Sequence, residues 1–323
     1  MTQWRSRPGV RIAGTGRFLP ERVMTNAELE TIVDTSDEWI RTRTGIEERR
    51  IHDGNLEGLA ASAARRAIQN AGLAVTDIDF IICSSVYNRF MTPAMSCVVQ
   101  GLISAACPCL DLNGACAGFV YALEMADAYL ARGRYRNILI VCAEEPTRMV
   151  DWTNRATCVL FGDAAAAAVV SGGGDDVLFR MHTAANAEVL HGYNTAGNCP
   201  YDKSGRSYEA MSMNGQEVYK FAVSSATEDI RALCETAGLD VNEIDHFMLH
   251  QANLRILEAV RTRLHQPVEK FPHNLEHYGN TSSASIPLLL DELNRAGKLV
   301  RGEKIAMSAF GAGLTTGACL FTW

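Results

Sequence analysis

A cysteine framed by glycines is the residue in this sequence best suited to covalent chemistry. Cys116 stands in the pentapeptide Gly114–Gly118, which has the Gly-x-nucleophile-x-Gly spacing of a nucleophile elbow, with cysteine where serine usually stands. The two glycines are predicted to let the backbone turn sharply where a Cβ would clash. Such a turn would place Cys116 at a helix N-terminus, where unpaired amides and the helix dipole stabilise a thiolate. The alternative interpretation is a small buried hydrophobic residue, which we assign to the other nine cysteines, Cys199 among them.

The residues on either side of Cys116 predict a strand before it and a helix after it. Residues 109–113 (Cys-Leu-Asp-Leu-Asn) have a strand-like character and lead into the turn. Apolar residues then recur at spacings of three and four, which is typical of a helix; they are Phe119, Leu123, Ala126 and Leu130.

Composition and charge restrict the class of protein. A chain of 323 residues, 47% hydrophobic and 21% charged, predicts a large core in two domains or in one two-lobed unit. The net charge of -7 argues against a non-specific nucleic-acid binder. No apolar stretch approaches the roughly 18 residues that span a membrane, and the first residues contain no apolar signal segment.

Cysteine usage indicates a cytoplasmic protein without a metal centre. The 10 cysteines lack regular spacing and form no Cys-x-x-Cys, so we interpret them as reduced thiols. Cys107-Pro108-Cys109 is too isolated to indicate a metal site.

Two segments of the chain repeat each other. Residues 71–82 (AGLAVTDIDFII) and 237–248 (AGLDVNEIDHFM) share six identical positions at an offset of 166 residues. Each predicts a helix end, a glycine cap, a short turn and a buried strand. Residues 137–141 and 303–307 match at a nearly equal offset, which favours an internal duplication over chance similarity. Strands that alternate with helices in both copies predict α/β layers.

The duplication predicts which residues of the second copy lie near Cys116. An offset of 167 places Ser283 opposite Cys116, again in a small-residue turn before a helix. Functional groups of α/β sheets collect at the carboxyl ends of strands, so His250 and Asn280 are expected at loop tips there. The alternative interpretation of His250 is a structural histidine in the core, and that of Asn280 is a simple turn residue. His246, in the same predicted strand as His250, is expected to be structural or exposed.

Five motifs that follow one another along the chain resemble the β-ketoacyl-acyl-carrier-protein synthase III family over its full length. They are Thr35–Ile40, Arg43–Ile46, Ala115–Phe119, His250–Arg255 and Gly279–Ser282. The resemblance implies the thiolase fold, in which two related α/β halves pack in five αβαβα layers, and a homodimer. The halves would be residues 1–175, which carry the cysteine, and residues 176–323, which carry the histidine and asparagine.

The resemblance implies a catalytic triad of Cys116, His250 and Asn280. Cys116 would take the acyl group of an acyl-CoA primer as a thioester. Malonyl-acyl carrier protein would then lose carbon dioxide, and its enolate would attack the acyl-enzyme to give a β-ketoacyl product. These residue types suit the task, because a thiolate is a strong nucleophile and an imidazole and a carboxamide can both donate hydrogen bonds to a thioester oxygen that gains charge. No metal or organic cofactor is implied.

The resemblance also implies an oxyanion hole for acyl transfer to Cys116. Its donors would be the N–H of Cys116 and an N–H of the turn Phe310–Gly313, where Ala312 replaces the middle of the three glycines common in the family. The alanine keeps its N–H and is unstrained if its φ is negative. A C-terminal hairpin that needs glycines only for packing is the alternative interpretation.

Further residues are matched to substrate contacts of the family. Trp39, Arg43 and Arg155 would hold the adenine and phosphates of coenzyme A, by stacking and by guanidinium contacts. Asn253 and Gly215 would adjoin the pantetheine arm. Arg255, with Arg261 and Arg263 near it, would meet the acidic carrier protein. A buried tryptophan and solvated surface arginines are the alternatives.

Thr92 differs from the residue that many family members have at this position. They place a phenylalanine before the proline, and that phenylalanine crosses the dimer to close the partner's acyl pocket. The smaller Thr92 predicts a roomier pocket that accepts longer or branched primers, unless Met91 or Phe90 fills the space.

Other functions compete with a decarboxylating condensation. Hydroxymethylglutaryl-CoA-type condensation would need a carboxylic base near the cysteine, for which Glu144-Glu145 is the only candidate; we interpret this pair instead as a polar strand exit. Acyl transfer to oxygen or nitrogen would use the same cysteine. A catalytically silent acyl-binding subunit would be expected to lack Cys116 or His250. An α/β-hydrolase with a cysteine nucleophile is disfavoured by the duplication.

Overall fold

Two β-sheets covered by helices form the frame of the molecule. The computed structural model describes residues 9–192 and 210–323; the first eight residues and the segment that contains Cys199 lie outside this description. The strands are β1 (Gly9–Phe18), β2 (Arg22–Thr25), β3 (Glu48–Ile51), β4 (Phe80–Ser84), β5 (Cys109–Leu112), β6 (Asn137–Glu144), β7 (Ala164–Gly174), β8 (Leu178–Thr183), β9 (Leu190–His191), β10 (Ser212–Met213), β11 (His246–Leu249), β12 (Lys304–Gly311) and β13 (Thr315–Thr322). One sheet has the order β1-β7-β6-β4-β5 and the other β11-β12-β13-β8; β2-β3 and β9-β10 are separate pairs.

The helices occupy three layers around the two sheets. They are α1 (Asn26–Leu29), α2 (Asp37–Thr44), α3 (Leu56–Asn70), α4 (Met95–Ile103), α5 (Gly118–Ala131), α6 (Gly215–Ala237), α7 (Leu254–Leu264), α8 (Leu275–Tyr278) and α9 (Ser285–Arg295). Buried side chains of α5 and α9 form one core with the facing sides of both sheets. A second core joins α6 and α7 to the outer face of one sheet, and a third joins α3 and α4 to the outer face of the other. The result is the αβαβα arrangement predicted from the sequence.

The alternation of side chains along the strands explains why one sheet serves two cores. Ile82, Ile138 and Ile140 face the central helices, whereas Ile81 and Leu139 face the outer ones. Successive residues of a strand point to opposite faces, so strands that are apolar throughout fit only in a sheet covered on both sides.

The two matching sequence segments adopt the same structure. Each leaves its helix through a glycine with positive φ, 69° at Gly72 and 67° at Gly238. A 3-10 turn follows, Val75–Asp77 in one copy and Val241–Glu243 in the other. The strands that come next pair in parallel with equivalent partners, β4 with β6 and β11 with β12. The prediction of two related halves is confirmed.

The two helices that lie between the sheets, α5 and α9, begin with the same backbone conformation. A single 3-10 turn precedes each, Ala115–Ala117 before α5 and Ser282–Ala284 before α9. The first residue of each turn has positive φ, 47° at Ala115 and 52° at Ser282. The side chains of the predicted apolar stripe of α5 are all buried, which confirms the helix behind Cys116.

The glycine frame of Cys116 is explained by space, as the sequence predicted, and not by a left-handed glycine. Ala115, and not a glycine, adopts the left-handed conformation. Gly118 is required by space, because an added Cβ would lie 2.0 Å from Oγ of Ser84. A Cβ on Gly114 would lie 3.0 Å from the Cα of Gly118. The glycines therefore let the turn approach β4 and its own helix closely.

Gly118→Ala is expected to destabilise the fold by about 1–3 kcal/mol, since overpacking a buried site forces its neighbours to move. The nearest neighbour belongs to Ser84, which is buried in β4. Urea denaturation measures the change. Gly101→Ala in α4 is the matched control, because position 101 is exposed and no heavy atom lies within 4 Å of its added Cβ. Alanine in place of glycine within a helix is expected to stabilise by about 0.5–1 kcal/mol. Equal stabilities of the two variants would contradict the packing argument.

No helix in residues 9–192 and 210–323 combines the length and the apolar character needed to cross a membrane.

Candidate active site

A cavity of about 660 Å³ brings Cys116, His250 and Asn280 together. Cys116 comes from the 3-10 turn before α5, and His250 directly follows β11. Asn280 lies between α8 and the second 3-10 turn. The structure thus places the three residues of the predicted triad in the lining of one cavity, although their catalytic roles remain predictions.

Asn280 is held at its backbone and at its side-chain oxygen. Its N–H donates to the Leu160 carbonyl (2.8 Å), and its own carbonyl accepts from the N–H of Gly162 (3.1 Å). Oδ1 accepts from the N–H of Ser282 (2.9 Å). This bond orients the carboxamide so that its Nδ2 hydrogens are left for a ligand.

His250 is a buried, neutral imidazole. The backbone N–H of His250 donates to the Ser308 carbonyl (2.9 Å), and the ring Nδ1 lies 2.8 Å from Oγ of Ser285. The edge of the ring meets Phe310 with centroids 5.2 Å apart. Burial lowers the pKa of His250 to about 3, because a charged ring would lose its hydration. A hydrogen bond from the ring at neutral pH is therefore one from an uncharged donor.

The Cys116 thiol is half-buried and protonated at rest. Burial raises the pKa of the Cys116 thiol to about 12, a hydrogen bond with the Ser282 hydroxyl opposes the rise, and the Glu144 charge adds to it. The sequence predicted a thiolate stabilised by the helix N-terminus, whereas burial is the largest influence on the pKa of this thiol and raises it. The N-terminus of α5 then acts on the negative charge that develops as sulfur attacks.

Glu144 and Glu145 stand at the exit of β6, as interpreted from the sequence, but both are buried. Glu144 is fully buried. Its Oε1 accepts from the Ser282 hydroxyl (3.1 Å) and from the N–H of Ser283 (3.3 Å), and its Oε2 accepts from the N–H of Val86 (3.0 Å). Burial raises its pKa to about 7. The Glu144 carboxyl joins the two halves of the molecule behind Cys116.

Glu145 points to a separate group of charges. Its Oε2 lies 2.8 Å from Nε of Arg148, and its Oε1 contacts Nδ1 of His52. These two contacts account for the burial of a second carboxylate at the end of β6.

The backbone around Cys116 has the close approach that the predicted oxyanion hole needs. A Cβ on Gly311 would lie 2.7 Å from the Cys116 nitrogen, so the end of β12 touches the cysteine turn directly. Ala312 follows and lines the cavity. The residues with positive φ include Gly313 but not Ala312, so the alanine carries none of the strain considered from the sequence.

The predicted substrate residues fall into two groups. Those that line the cavity are Arg43, Gly215, Asn253 and Arg255. Trp39, Arg155 and Thr92 are outside its lining. The guanidinium groups of Arg43 and Arg155 lie 5.1 and 4.9 Å from the Trp39 ring centroid. Because Arg43 lines the cavity and also contacts Trp39, the cluster of Trp39 and Arg155 adjoins the cavity.

Several of these residues also have structural contacts. Asn253 caps α7, where its Oδ1 accepts from the N–H of Arg255 (2.9 Å). Gly215 is the first residue of α6, and an added Cβ there would meet only Met213, at 4.0 Å. Packing within the described residues therefore does not require a glycine at position 215.

The Thr92 segment is exposed. Met91 is 93% exposed and Phe90 40%, so neither side chain fills a pocket of its own chain.

His246 behaves as expected from the sequence, since its Nε2 lies 3.1 Å from Oε2 of Glu303 and it takes no part in the cavity. Within residues 9–192 and 210–323, no group of three or more His, Cys, Asp or Glu side chains is arranged to hold a metal ion.

Sequence reasoning named Glu144 but missed its burial. It also missed two residues behind the triad, Ser282 and Ser285. The duplication contained a signal for the first, because the offset of 167 that pairs Cys116 with Ser283 also pairs Asn280 with Asn113. Asn113 Oδ1 accepts from the N–H of Ala115 (3.1 Å), just as Asn280 accepts from Ser282.

The fold and this set of side chains define an α/β protein of the thiolase type with a cysteine, a neutral histidine and an asparagine at one cavity. Comparison with known proteins agrees. Residues 110–187 match the family described as 3-oxoacyl-[acyl-carrier-protein (ACP)] synthase III, and residues 234–323 match the C-terminal model of the same family.

Individual relatives match over nearly the whole chain. The β-ketoacyl-[acyl-carrier-protein] synthase III of Clostridium acetobutylicum is 42% identical and covers 97% of this chain and 98% of its own. The crystal structure of 3-oxoacyl-[acyl-carrier-protein] synthase III from Aquifex aeolicus has a TM-score of 0.90 at 42% identity, covering 98% of this chain and 100% of the other. The priming β-ketosynthase of the R1128 polyketide pathway has a TM-score of 0.90 at 34% identity, covering 99% and 98%. This chain belongs to the β-ketoacyl-acyl-carrier-protein synthase III family.

Proposed function

We propose that this chain catalyses the decarboxylating condensation of an acyl-CoA primer with malonyl-acyl carrier protein, through an acyl group held on Cys116. The observation that carries the proposal is the single cavity that Cys116 shares with the neutral His250 and with Asn280. A nucleophile and two uncharged donors are the groups that this two-step reaction requires.

In the first step the Cys116 sulfur attacks the thioester carbonyl of the primer. A bond forms between that sulfur and the acyl carbon, the bond from this carbon to the coenzyme A sulfur breaks, and the proton of Cys116 leaves with coenzyme A as its thiol. The N–H groups of Cys116 and Ala312 are assigned to the oxygen that becomes negative. Such donors lower the barrier because they are fixed before charge develops.

In the second step malonyl-acyl carrier protein occupies the same cavity. Its carboxylate leaves as carbon dioxide, and the electron pair passes into an enolate whose oxygen accepts hydrogen bonds from His250 and Asn280. The enolate carbon attacks the acyl carbon and expels the Cys116 sulfur as a thiolate, which takes up a proton from solvent. Neutral donors stabilise the enolate without a charge that must be buried beforehand.

We assign Trp39, Arg43 and Arg155 to the nucleotide of coenzyme A at the cavity mouth. The guanidinium groups near the indole offer phosphate contacts beside a surface on which a base can stack. Gly215 and Asn253, which line the cavity, are assigned to the pantetheine arm. No organic cofactor or metal is part of the proposed reaction.

Arg255 is assigned to the acidic carrier protein, because it lines the same cavity through which the carrier's arm must pass.

We also propose that the protein is a homodimer in the cytoplasm. Each protomer would consist of two halves, residues 1–175 and residues 176–323. Strand β5 supports the dimer, since it is the last strand of its sheet, and a free strand edge is a ready surface for pairing. The exposed Met91 and Phe90 would then face a partner.

Condensation assays with a series of acyl-CoA primers test this function. With malonyl-acyl carrier protein and one primer at a time, mass spectrometry of the carrier is expected to reveal the β-ketoacyl product.

In competition between primers, the small Thr92 predicts a preference for longer or branched chains over acetyl. Thr92→Phe is expected to shift this preference toward acetyl. Absence of product with every primer would contradict the function; a sharp optimum at two carbons in the unmodified protein would contradict only the role of Thr92.

A further inference from the structure

The hydroxyl of Ser285 contacts the ring of His250 at a buried position. Ser285 is the first residue of α9 and is 2% exposed. Its Oγ lies 2.8 Å from Nδ1 of His250 and accepts a hydrogen bond from the N–H of Gln251 (3.3 Å). In the part of the chain that the structure describes, these are the hydrogen bonds found for this hydroxyl.

The number of protons available decides the direction of the bond between Ser285 and His250. A hydroxyl has one proton to donate and two lone pairs that accept. The N–H of Gln251 uses one lone pair. If Nδ1 carried a proton, it would use the second, and the hydroxyl proton of Ser285 would be buried without an acceptor. An unsatisfied buried donor is costly enough to disfavour that arrangement by roughly tenfold or more.

The remaining arrangement has the Ser285 hydroxyl donating to Nδ1. A neutral imidazole carries one N–H, so its proton must then be on Nε2. The imidazole is neutral because burial lowers the pKa of His250 to about 3. We propose that Ser285 is a positioning residue that holds His250 in the tautomer with its proton on Nε2.

The tautomer matters for one of the two chemical steps, and this part of the argument rests on the proposed function. His250 lines the cavity, and with Nδ1 engaged by Ser285 the nitrogen left for a ligand is Nε2. In the proposed tautomer Nε2 donates to the enolate oxygen, whereas in the other it presents a lone pair that repels the same oxygen. Acyl transfer to Cys116 uses backbone donors and does not depend on the tautomer.

Nitrogen NMR of ¹⁵N-histidine-labelled protein tests the proposal directly, because the ring shifts distinguish a protonated from an unprotonated nitrogen. The unmodified protein is expected to have His250 protonated on Nε2, and Ser285→Ala a mixture of both tautomers. In the same variant, decarboxylation of malonyl-acyl carrier protein is expected to fall about tenfold while the mass gain on Cys116 from acyl-CoA persists. Ser285→Thr, which keeps a hydroxyl, is expected to have the single tautomer and the decarboxylation rate of the unmodified protein.

Two controls separate this effect from a general disturbance. His246, held by Glu303, is expected to keep its ring shifts in every variant. Ser96→Ala removes another fully buried serine at the start of a helix, outside the cavity lining, and is expected to leave His250 and both half-reactions unchanged.

Protonation of His250 on Nδ1 in the unmodified protein would overturn the proposal even if Ser285→Ala failed to fold. An unchanged tautomer in a folded Ser285→Ala protein would also overturn it, and so would equal losses in both half-reactions. The NMR result does not need turnover. A protein without condensation activity whose tautomer still responds to Ser285 would therefore contradict the proposed function and support this inference.

Discussion

Cys116→Ala is expected to abolish the mass gain of one acyl group that the unmodified protein acquires from acyl-CoA. The half-buried Cys116 is the thiol that lines the cavity, and without it no covalent intermediate can form. Condensation is expected to fall by roughly 10⁴- to 10⁶-fold, as when an enzyme loses its nucleophile. Intact-mass spectrometry after incubation with acyl-CoA measures the first effect, and product formation on the carrier protein measures the second.

The control for the loss of Cys116 is another thiol in the same half of the molecule. Cys97, in α4, is exposed and outside the cavity lining, so Cys97→Ala is expected to acylate and condense as the unmodified protein does. Hydroxylamine is expected to remove the added mass, because it cleaves thioesters. Acylation that persisted in Cys116→Ala would assign the intermediate to another residue and contradict the mechanism.

Asn280→Ala is expected to separate the two half-reactions. The mass gain on Cys116 should remain, since the proposed donors for acyl transfer are the backbone N–H groups of Cys116 and Ala312. Decarboxylation of malonyl-acyl carrier protein is expected to fall by about 10²–10³-fold, the usual loss when one donor to a developing oxyanion is removed. Release of labelled carbon dioxide from malonyl-acyl carrier protein measures it.

A second variant at this position distinguishes the lost donor from a disturbed turn. Asn280→Asp keeps an oxygen that can accept from the N–H of Ser282, as Oδ1 does now. It replaces the Nδ2 donor with an oxygen that repels the enolate. Decarboxylation is expected to fall at least as far as in Asn280→Ala, and an unchanged rate would show that Nδ2 takes no part.

Local patterns predicted most of the frame around the site. The apolar stripe behind Cys116 identified α5, because its spacing of three and four matches a helix with one buried face. The repeated segments around Gly72 and Gly238 predicted two related halves, since a left-handed glycine and a turn into a buried strand leave a recognisable local signature. The division into two halves in turn predicted that His250 lies at the end of its strand.

The residues that could not be predicted depend on contacts between distant parts of the chain. Glu144 looked like the polar end of a strand, because its partners Ser282 and Ser283 lie 138 and 139 residues away. The direction in which Ser285 points is set by the packing of α9 against β11, which no local pattern contains. Even at Cys116 the pattern indicated a stabilised thiolate, whereas burial, a property of the whole fold, raises the pKa of the thiol.

The contacts of Glu144 also limit how this molecule and its relatives can exchange parts. Its carboxyl comes from β6, but the Ser282 and Ser283 hydroxyls that donate to it belong to the turn before α9. A hybrid that joined the N-terminal half of this chain to a C-terminal half without these serines would bury the acid with fewer donors. Each missing donor would cost about 1–3 kcal/mol. The inheritance of Glu144 is thereby tied to that of Ser282 and Ser283, so the two halves are expected to diverge together in lineages that retain the buried acid.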